Sequence, residues 1–187
     1  KNETAGDSII NIQMMLAYES GKQHWILKVL FGNAGFNFDG KSTKQRNSKT
    51  QEYIQRALDY AKTNALKEYE AIASARQAEK YLLEGKKNEA LQTAQFGLAT
   101  AMNTDNDSAK VLCQLMVGNV YLQKGDMLMA FKSYTYAIDI ADKSRNIYLK
   151  TQVLHAFAFM YKNKLQKYEV SKQYAFQSVS VNKKNND

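Results

Sequence analysis

The sequence predicts an all-α protein, built as a solenoid of antiparallel helix pairs behind an N-terminal helical cap. The first observation is a pattern of small and aromatic residues in residues 111–143 that fits two helices joined by a tight turn. The second is that much of this pattern recurs forty residues earlier and forty residues later. A fixed period carried by several positions at once is the sequence signature of a helical repeat array.

The helix pair in residues 111–143 explains the pattern. Gly118 and Tyr121 lie three residues apart, so they share one face of the first helix. Gly125 suits the following turn because glycine adopts a positive φ without steric cost, and Asp126 can cap the next helix. On that second helix, small residues flank a tyrosine at spacings of four and three, namely Ala130, Tyr134 and Ala137. Small residues let two helices approach closely, and a tyrosine fills the space beside them.

Steps of forty residues place similar side chains in the neighbouring units. The recurring positions are Tyr81, Tyr121 and Tyr161; Gly85 and Gly125; Ala90 and Ala130; Ala57, Gly97 and Ala137; and Ile54, Ala94, Tyr134 and Tyr174. The period predicts a half-unit at residues 48–64 and full units at about 67–106, 107–145 and 146–182. Residues 48–187 therefore form the repeat region, and residues 1–47 form the N-terminal cap with a glycine-rich loop.

The cap is predicted to contain two helices that do not follow the period. The first begins near Ser8 and buries an apolar face of Ile9, Ile10, Ile12, Met15 and Leu16. The second spans residues 23–31, and it is expected to cap the helical array with the apolar side chains of Trp25, Leu27, Val29 and Leu30. A long loop is expected over residues 32–47, where Phe36 and Phe38 can fold back onto the helices. The first repeat helix is then expected to start at a cap on Ser48 or Thr50, and the helix of residues 107–123 at a cap on Asp107 or Ser108.

The pattern from Gly118 to Ala137 resembles the tetratricopeptide repeat, the helix-turn-helix unit of many protein-interaction scaffolds. The period of forty exceeds the family's usual period of about 34 residues, and it is similar to the extended repeats of bacterial regulatory proteins. The chain departs from the family pattern at Gln114, Asp142, Leu165 and Val170. The resemblance implies a right-handed solenoid in which the first helices of successive units line a concave groove.

The resemblance also implies which residues would bind a ligand in that groove. The matching positions are Glu79, Leu82, Leu115, Asn119, Leu122, Gln152, His155, Phe159 and Lys162, accompanied by Ile72, Ala75, Leu83, Leu112, Gln123 and Asn163. This mixture of apolar and polar side chains suits an amphipathic helix or an extended peptide. The alternative is that several of the leucines pack between neighbouring helices. Asn119 matches one position of the clamp that some family members use for a peptide carboxylate, but Leu115, Gln152 and Ala156 stand where basic residues would be required.

From this sequence we expect neither an enzyme nor a metal site nor a bound cofactor. Only His24 and His155 could act as bases near neutral pH, and neither has a serine or cysteine motif beside it. Phe159 takes the position four residues after His155 where a second metal ligand would stand. Cys113 is the only cysteine and lies among apolar residues, which predicts a packing role and excludes an intrachain disulfide. The Gly-Lys-Ser at residues 40–42 follows Gly35 at the spacing of a phosphate-binding loop. We do not expect a phosphate site there, because no apolar strand is predicted before it.

The net charge of +8 is concentrated at the end of the chain. Residues 146–187 contain seven lysines against two acidic residues, a balance of +5. Such a patch could attract nucleic acid or an anionic membrane surface. Because arginine is scarce and lysine predominates, a solvated face is the simpler interpretation, and we do not expect nucleic acid as the partner. No apolar run approaches the length of a transmembrane segment.

These patterns together predict a protein- or peptide-binding scaffold, the ligand-sensing or docking region of a bacterial regulatory or signalling protein. The alternatives are a chaperone-like holder of a partner protein and a basic module that binds nucleic acid or a membrane surface. Because the last helix is too apolar for the end of an array, we expect a homodimer or a further domain there. A first residue other than methionine (Lys1) leads us to expect processing or excision from a longer protein. The compartment, cytoplasm or periplasm, stays open.

Overall fold

The computed structural model describes residues 43–183 without a break. Before them it describes residues 13, 15–17, 19, 21–23, 25–27 and 30. Within these residues the regular secondary structure is entirely helical, so the prediction of an all-α fold is confirmed.

Seven helices follow one another between residues 43 and 183. They are α1 (Thr43–Thr63), α2 (Lys67–Leu83), α3 (Lys87–Met102), α4 (Asp107–Lys124), α5 (Met127–Lys143), α6 (Ile147–Asn163) and α7 (Tyr168–Lys183). The starts of α2, α4 and α6 are spaced by 40 residues. The helix positions predicted from the period are therefore confirmed to within a few residues, except at the start of α1. The connections are two to four residues long, which is typical of antiparallel neighbours.

Each helix packs against the next one along the chain, and α4 also contacts both α2 and α6. The three helices thus form an inner row, with α4 at its centre in contact with α2, α3, α5 and α6. This position explains why ten residues of α4 between Ala109 and Leu122 are buried.

Small side chains allow the close packing of the helix pairs. Between α2 and α3 the core consists largely of alanines, among them Ala71, Ala75, Ala78, Ala90 and Ala94. Between α4 and α5, Gly118 lies directly against Tyr134, and a Cβ added to the glycine would come within 2.5 Å of a ring carbon. The predicted pairing of a small residue with a tyrosine is therefore present in this helix pair.

Three helices begin with the same cap, twenty residues apart. The side chains of Asn106, Asp126 and Asn146 each accept a hydrogen bond from the backbone N–H three residues later, at the starts of α4, α5 and α6. The predicted cap at Asp126 is confirmed. The predicted cap of α4 at Asp107 or Ser108 is wrong, because Asn106 occupies that position and those two residues are already helical.

The turns show where the period changes. Gly85 and Gly125 adopt left-handed φ values of 77° and 87°, which glycine does without steric cost. After α6, however, the left-handed residue is Gln166 with a φ of 54°, one residue later than the forty-residue step predicts. The backbone bonds agree, since Asp126 N–H donates to Tyr121 five residues back, whereas Lys167 N–H donates to Tyr161 six residues back.

This extra residue rotates the register of α7 relative to α5. The buried small residues of α7 are Ser171 and Ser178, which lie forty-one residues after Ala130 and Ala137. Val170, which the sequence places at the small position, is only half-buried. The predicted equivalence of Leu165 with the turn glycine is corrected in the same way, because Gln166 takes that conformation.

The N-terminal predictions are partly corrected. The helix α1 begins at Thr43, so residues 43–47 are helical rather than part of a loop, and neither Ser48 nor Thr50 is its cap. Met15 and Leu16 are more than half exposed, contrary to the predicted buried face. Leu27 and Leu30 are buried against α1 as expected, in one core cluster with Ala17, Ile26, Tyr53, Ile54, Ala57, Ala61 and Ala73, whereas Trp25 is about half exposed. Ile9, Ile10, Ile12, His24, Val29 and residues 31–42, with Phe36 and Phe38, lie outside the described residues.

The last helix keeps apolar side chains on its surface. Tyr168, Phe176 and Val179 are at least half exposed. Across the described residues, no helix combines the length and apolarity that crossing a membrane requires.

Replacement of Gly118 by alanine is expected to lower the free energy of unfolding by about 1–2 kcal/mol. The added methyl would overlap the Tyr134 ring, and this strain exceeds the gain of about 1 kcal/mol that alanine brings to a helix. Urea unfolding monitored by circular dichroism measures the difference. Gly97→Ala is the control, because its nearest neighbour lies 3.1 Å away and its loss should be smaller. A Gly118→Ala protein as stable as wild type would contradict the close contact.

Replacement of Gln166 by glycine is expected to raise the free energy of unfolding by about 0.5–1 kcal/mol, because a left-handed φ strains a residue that has a Cβ. Lys164→Gly is the matched control in the same turn, since Lys164 has a φ of −113° and gains nothing from glycine. The same urea titration serves for both variants. Equal effects of the two substitutions would show that Gln166 is not strained.

Candidate functional site

The inner row of helices encloses a groove with a volume of about 700 Å³. We call it the inner groove, and its lining residues are Glu79, Leu82, Leu83, Met116, Asn119, Leu122, Gln123, His155, Ala156 and Phe159. They come from α2, α4 and α6, one helix from each unit. A concave site of this size with apolar walls and a few polar groups is the usual form of a binding site.

The repeat geometry determines which side chains meet in the groove. Glu79, Asn119 and Phe159 are spaced by forty residues, so they occupy equivalent positions on the three helices. The spacings of three and four residues within each helix keep the other lining residues on the same face. The groove is therefore a direct consequence of the period.

The structure brings together eight of the residues that the sequence predicted for a groove. These are Glu79, Leu82, Leu83, Asn119, Leu122, Gln123, His155 and Phe159. Gln152, Lys162 and Asn163 are on α6 but do not line the inner groove, and Ile72, Ala75 and Leu112 pack in the core between α2, α3 and α4. The alternative, that leucines pack between helices, applies to Leu112, whereas Leu82 both packs against this core and lines the groove.

The predicted position of Leu115 in the groove is corrected by the structure. Its side chain is buried in the core that α4 shares with α5 and α6, where it belongs to one cluster with Val111, Val153 and Phe157. The next residue, Met116, lines the groove instead, as does Ala156 forty residues later. Because α4 is enclosed by four helices, one step along it moves a side chain from the groove into the core.

The two ends of the groove carry exposed apolar side chains. Leu83 on α2 is 66% exposed and Phe159 on α6 is 51% exposed. Leu122 and Met116 are buried and form the floor between them. Large apolar side chains that converge on one concave surface indicate a site where another molecule can bind.

Polar groups lie on all three helices that line the groove. On α2, Glu79 is paired with Arg76, with 2.9 Å between the guanidinium nitrogen and the carboxylate oxygen. On α4, Asn119 accepts a hydrogen bond of 2.6 Å from the Tyr134 hydroxyl of α5. His155 is exposed at the side of the groove. These groups give the groove places where a ligand can form hydrogen bonds.

An aromatic cluster behind the groove holds α6 in place. Phe157 packs edge-on against Tyr134, with the ring centres 5.5 Å apart, and stacks on Tyr174 of α7 at 4.9 Å. Tyr174 also stacks on Tyr161 at 5.4 Å. Such aromatic pairs add stability beyond their buried area. They fix the helix that carries His155 and Phe159.

Cys113 lies on the side of α4 that faces α2. Its thiol is buried and donates a hydrogen bond of 3.3 Å to the Ala71 carbonyl. Burial raises the pKa of the Cys113 thiol to about 12. The predicted packing role of Cys113 agrees with this environment. Among the described residues, no three histidine, cysteine or acidic side chains come together as metal ligands would.

The chain matches no protein-family model, and no curated protein matches it.

Native protein is expected to react very slowly with a thiol reagent at mildly alkaline pH, because the buried Cys113 stays protonated and the thiolate is the reactive form. Unfolding in urea should make the same thiol react within seconds to minutes. The release of thionitrobenzoate from a disulfide reagent measures both rates. Fast reaction of the native chain would contradict the burial of Cys113.

Proposed function

We propose that the chain is a protein- or peptide-binding scaffold, a right-handed solenoid similar to tetratricopeptide repeats, and that the inner groove is its binding surface. The observation that carries the proposal is the groove itself, with exposed Leu83 and Phe159 at its ends and Asn119 between them. Apolar side chains anchor most protein ligands, and polar groups between the anchors fix the register of the ligand chain.

The architecture supports the proposal in three ways. The forty-residue spacing of α2, α4 and α6 agrees with extended repeats, the inner row places one face of each first helix on a shared surface, and Gly85 and Gly125 close equivalent turns. A fold alone does not define a function, so the proposed binding function rests on the side-chain chemistry of the groove. In the same proposal, the chain is the ligand-sensing or docking region of a bacterial regulatory or signalling protein. A chaperone-like holder would use the same groove.

The alternative of a basic surface for nucleic acid or membrane has less support. Two lysines of the last unit are paired with acidic side chains, Lys150 with Asp142 at 2.6 Å and Lys172 with Glu169 at 2.8 Å. Neither lysine lines the inner groove. The +5 balance already includes Glu169, so only the pair with Asp142 lowers the charge further, and both lysines lie outside the concave site.

Peptides selected on the wild-type chain from a phage library of random dodecapeptides are expected to bind the groove. A double variant with Leu83→Ala and Phe159→Ala should bind them about ten- to a hundredfold more weakly. Each side chain is already partly buried, so covering its exposed part contributes about 0.7–1.4 kcal/mol. Fluorescence anisotropy of the synthetic peptides measures the dissociation constants.

The control variant carries Leu128→Ala and Phe96→Ala. Leu128 is 63% exposed and Phe96 is 51% exposed, so the control removes closely similar side chains with similar exposure outside the groove. Wild-type affinity is expected for it. Equal losses in the two double variants, or none in either, would place the binding surface elsewhere.

A further inference from the structure

The hydrogen bond between Tyr134 and Asn119 connects the core with the inner groove. Tyr134 is fully buried between α4, α5 and α6, with Gly118 on one side and Phe157 on another. Its hydroxyl reaches the Oδ1 of Asn119 at 2.6 Å, and Asn119 is a half-buried lining residue of the groove. The orientation of a groove side chain is thus set by a group that a ligand does not touch.

The chemistry of the two groups decides the direction of this bond. Burial raises the pKa of the Tyr134 hydroxyl, which keeps it protonated and able to donate. If the amide were turned around, its –NH2 would donate to the hydroxyl oxygen, and the buried hydroxyl hydrogen would lose the acceptor it has in the structure. Leaving a buried donor unpaired is costly, so the carbonyl oxygen of Asn119 faces Tyr134.

The opposite side of the Asn119 amide is its –NH2 group, and no other described side chain or backbone group takes a hydrogen bond from it. An amide nitrogen of this kind has two N–H donors and no acceptor. With the carbonyl oxygen directed at Tyr134, the centre of the groove presents donors to a ligand.

We infer that Tyr134 is a positioning residue that holds the Asn119 amide with its –NH2 toward the groove, so that the ligand must place an acceptor oxygen there. The inference rests on the proposed function of the groove. The ligand chain would present a carbonyl or carboxylate oxygen to Asn119, between apolar side chains that reach Leu83 on one side and Phe159 on the other.

Two substitutions separate the donor from its positioning. Asn119→Asp keeps an oxygen that accepts the Tyr134 bond, but it replaces the donors in the groove by a second acceptor oxygen. Tyr134→Phe keeps the ring and its packing but releases the amide, which can then present either side. Tyr121→Phe is the matched control, because its hydroxyl accepts a bond from Gln95 at 3.4 Å and does not line the groove.

The probes are the synthetic dodecapeptides selected on the wild-type chain. Asn119→Asp should weaken their binding at least about tenfold, because an acceptor then faces an acceptor. Tyr134→Phe should weaken it about three- to tenfold through loss of preorganisation. The double variant should bind no more weakly than Asn119→Asp alone, since Tyr134 acts through Asn119. Tyr121→Phe should bind as wild type does.

Alanine substitution along the peptide identifies the source of the acceptor. If one acidic or amide side chain of the peptide loses its contribution only in the Asn119→Asp background, that side chain supplies the oxygen. If none does, the oxygen belongs to the peptide backbone. Both results support the inference.

Wild-type affinity of Asn119→Asp would overturn the inference while leaving the groove as the binding surface. Additive losses in the double variant would also overturn it, because they would mean that Tyr134 acts on binding through packing. Peptides that bind the Leu83→Ala, Phe159→Ala protein as tightly as wild type would instead overturn the proposed function, and this inference with it.

Discussion

The rest of the repeat structure depends on the contact between Gly118 and Tyr134. The missing side chain at Gly118 lets α5 approach α4 so closely that a Cβ would come within 2.5 Å of the ring. The ring fills the space in which α4, α5 and α6 meet, and Phe157 of α6 packs against it at 5.5 Å. One tyrosine thus fixes three helices, two of which line the inner groove. Its hydroxyl, which adds little volume to this packing, points to Asn119.

The turns transmit the period from one unit to the next, and they also show how a unit can differ. Gly85 and Gly125 return the chain with the same left-handed geometry, so α3 and α5 present small residues to their partners at equivalent positions. The extra residue before α7 turns that helix by about 100°, the rotation of one residue in an α-helix. Serines at positions 171 and 178 then take over the close contacts with α6. The fold therefore tolerates a change of register where the new positions also carry small side chains.

The sequence could predict the helices and most of the groove, because both follow from a spacing that small residues and turn glycines make visible. The choice between Leu115 and Met116 could not be made, since it depends on the rotation of α4 among four neighbours. The longer turn could not be predicted either, because glutamine is not a residue type that indicates a positive φ, which Gln166 adopts here. The early start of α1 at Thr43 was missed for a similar reason: polar residues at a helix start resemble those of a loop.

The groove combines a repeated backbone with side chains that do not repeat. Glu79, Asn119 and Phe159 occupy equivalent positions, yet they supply a carboxylate, an amide and an aromatic ring. Equal spacing would let each helix contact one ligand chain in the proposed function, while the different chemistry distinguishes one end of the groove from the other. A chain lying across the three helices would therefore meet a different set of groups if its direction were reversed. In this arrangement the close packing of the helices determines the shape of the surface. The three different side chains at the equivalent positions make its two ends chemically distinct, and they do so without disturbing the contact between Gly118 and Tyr134.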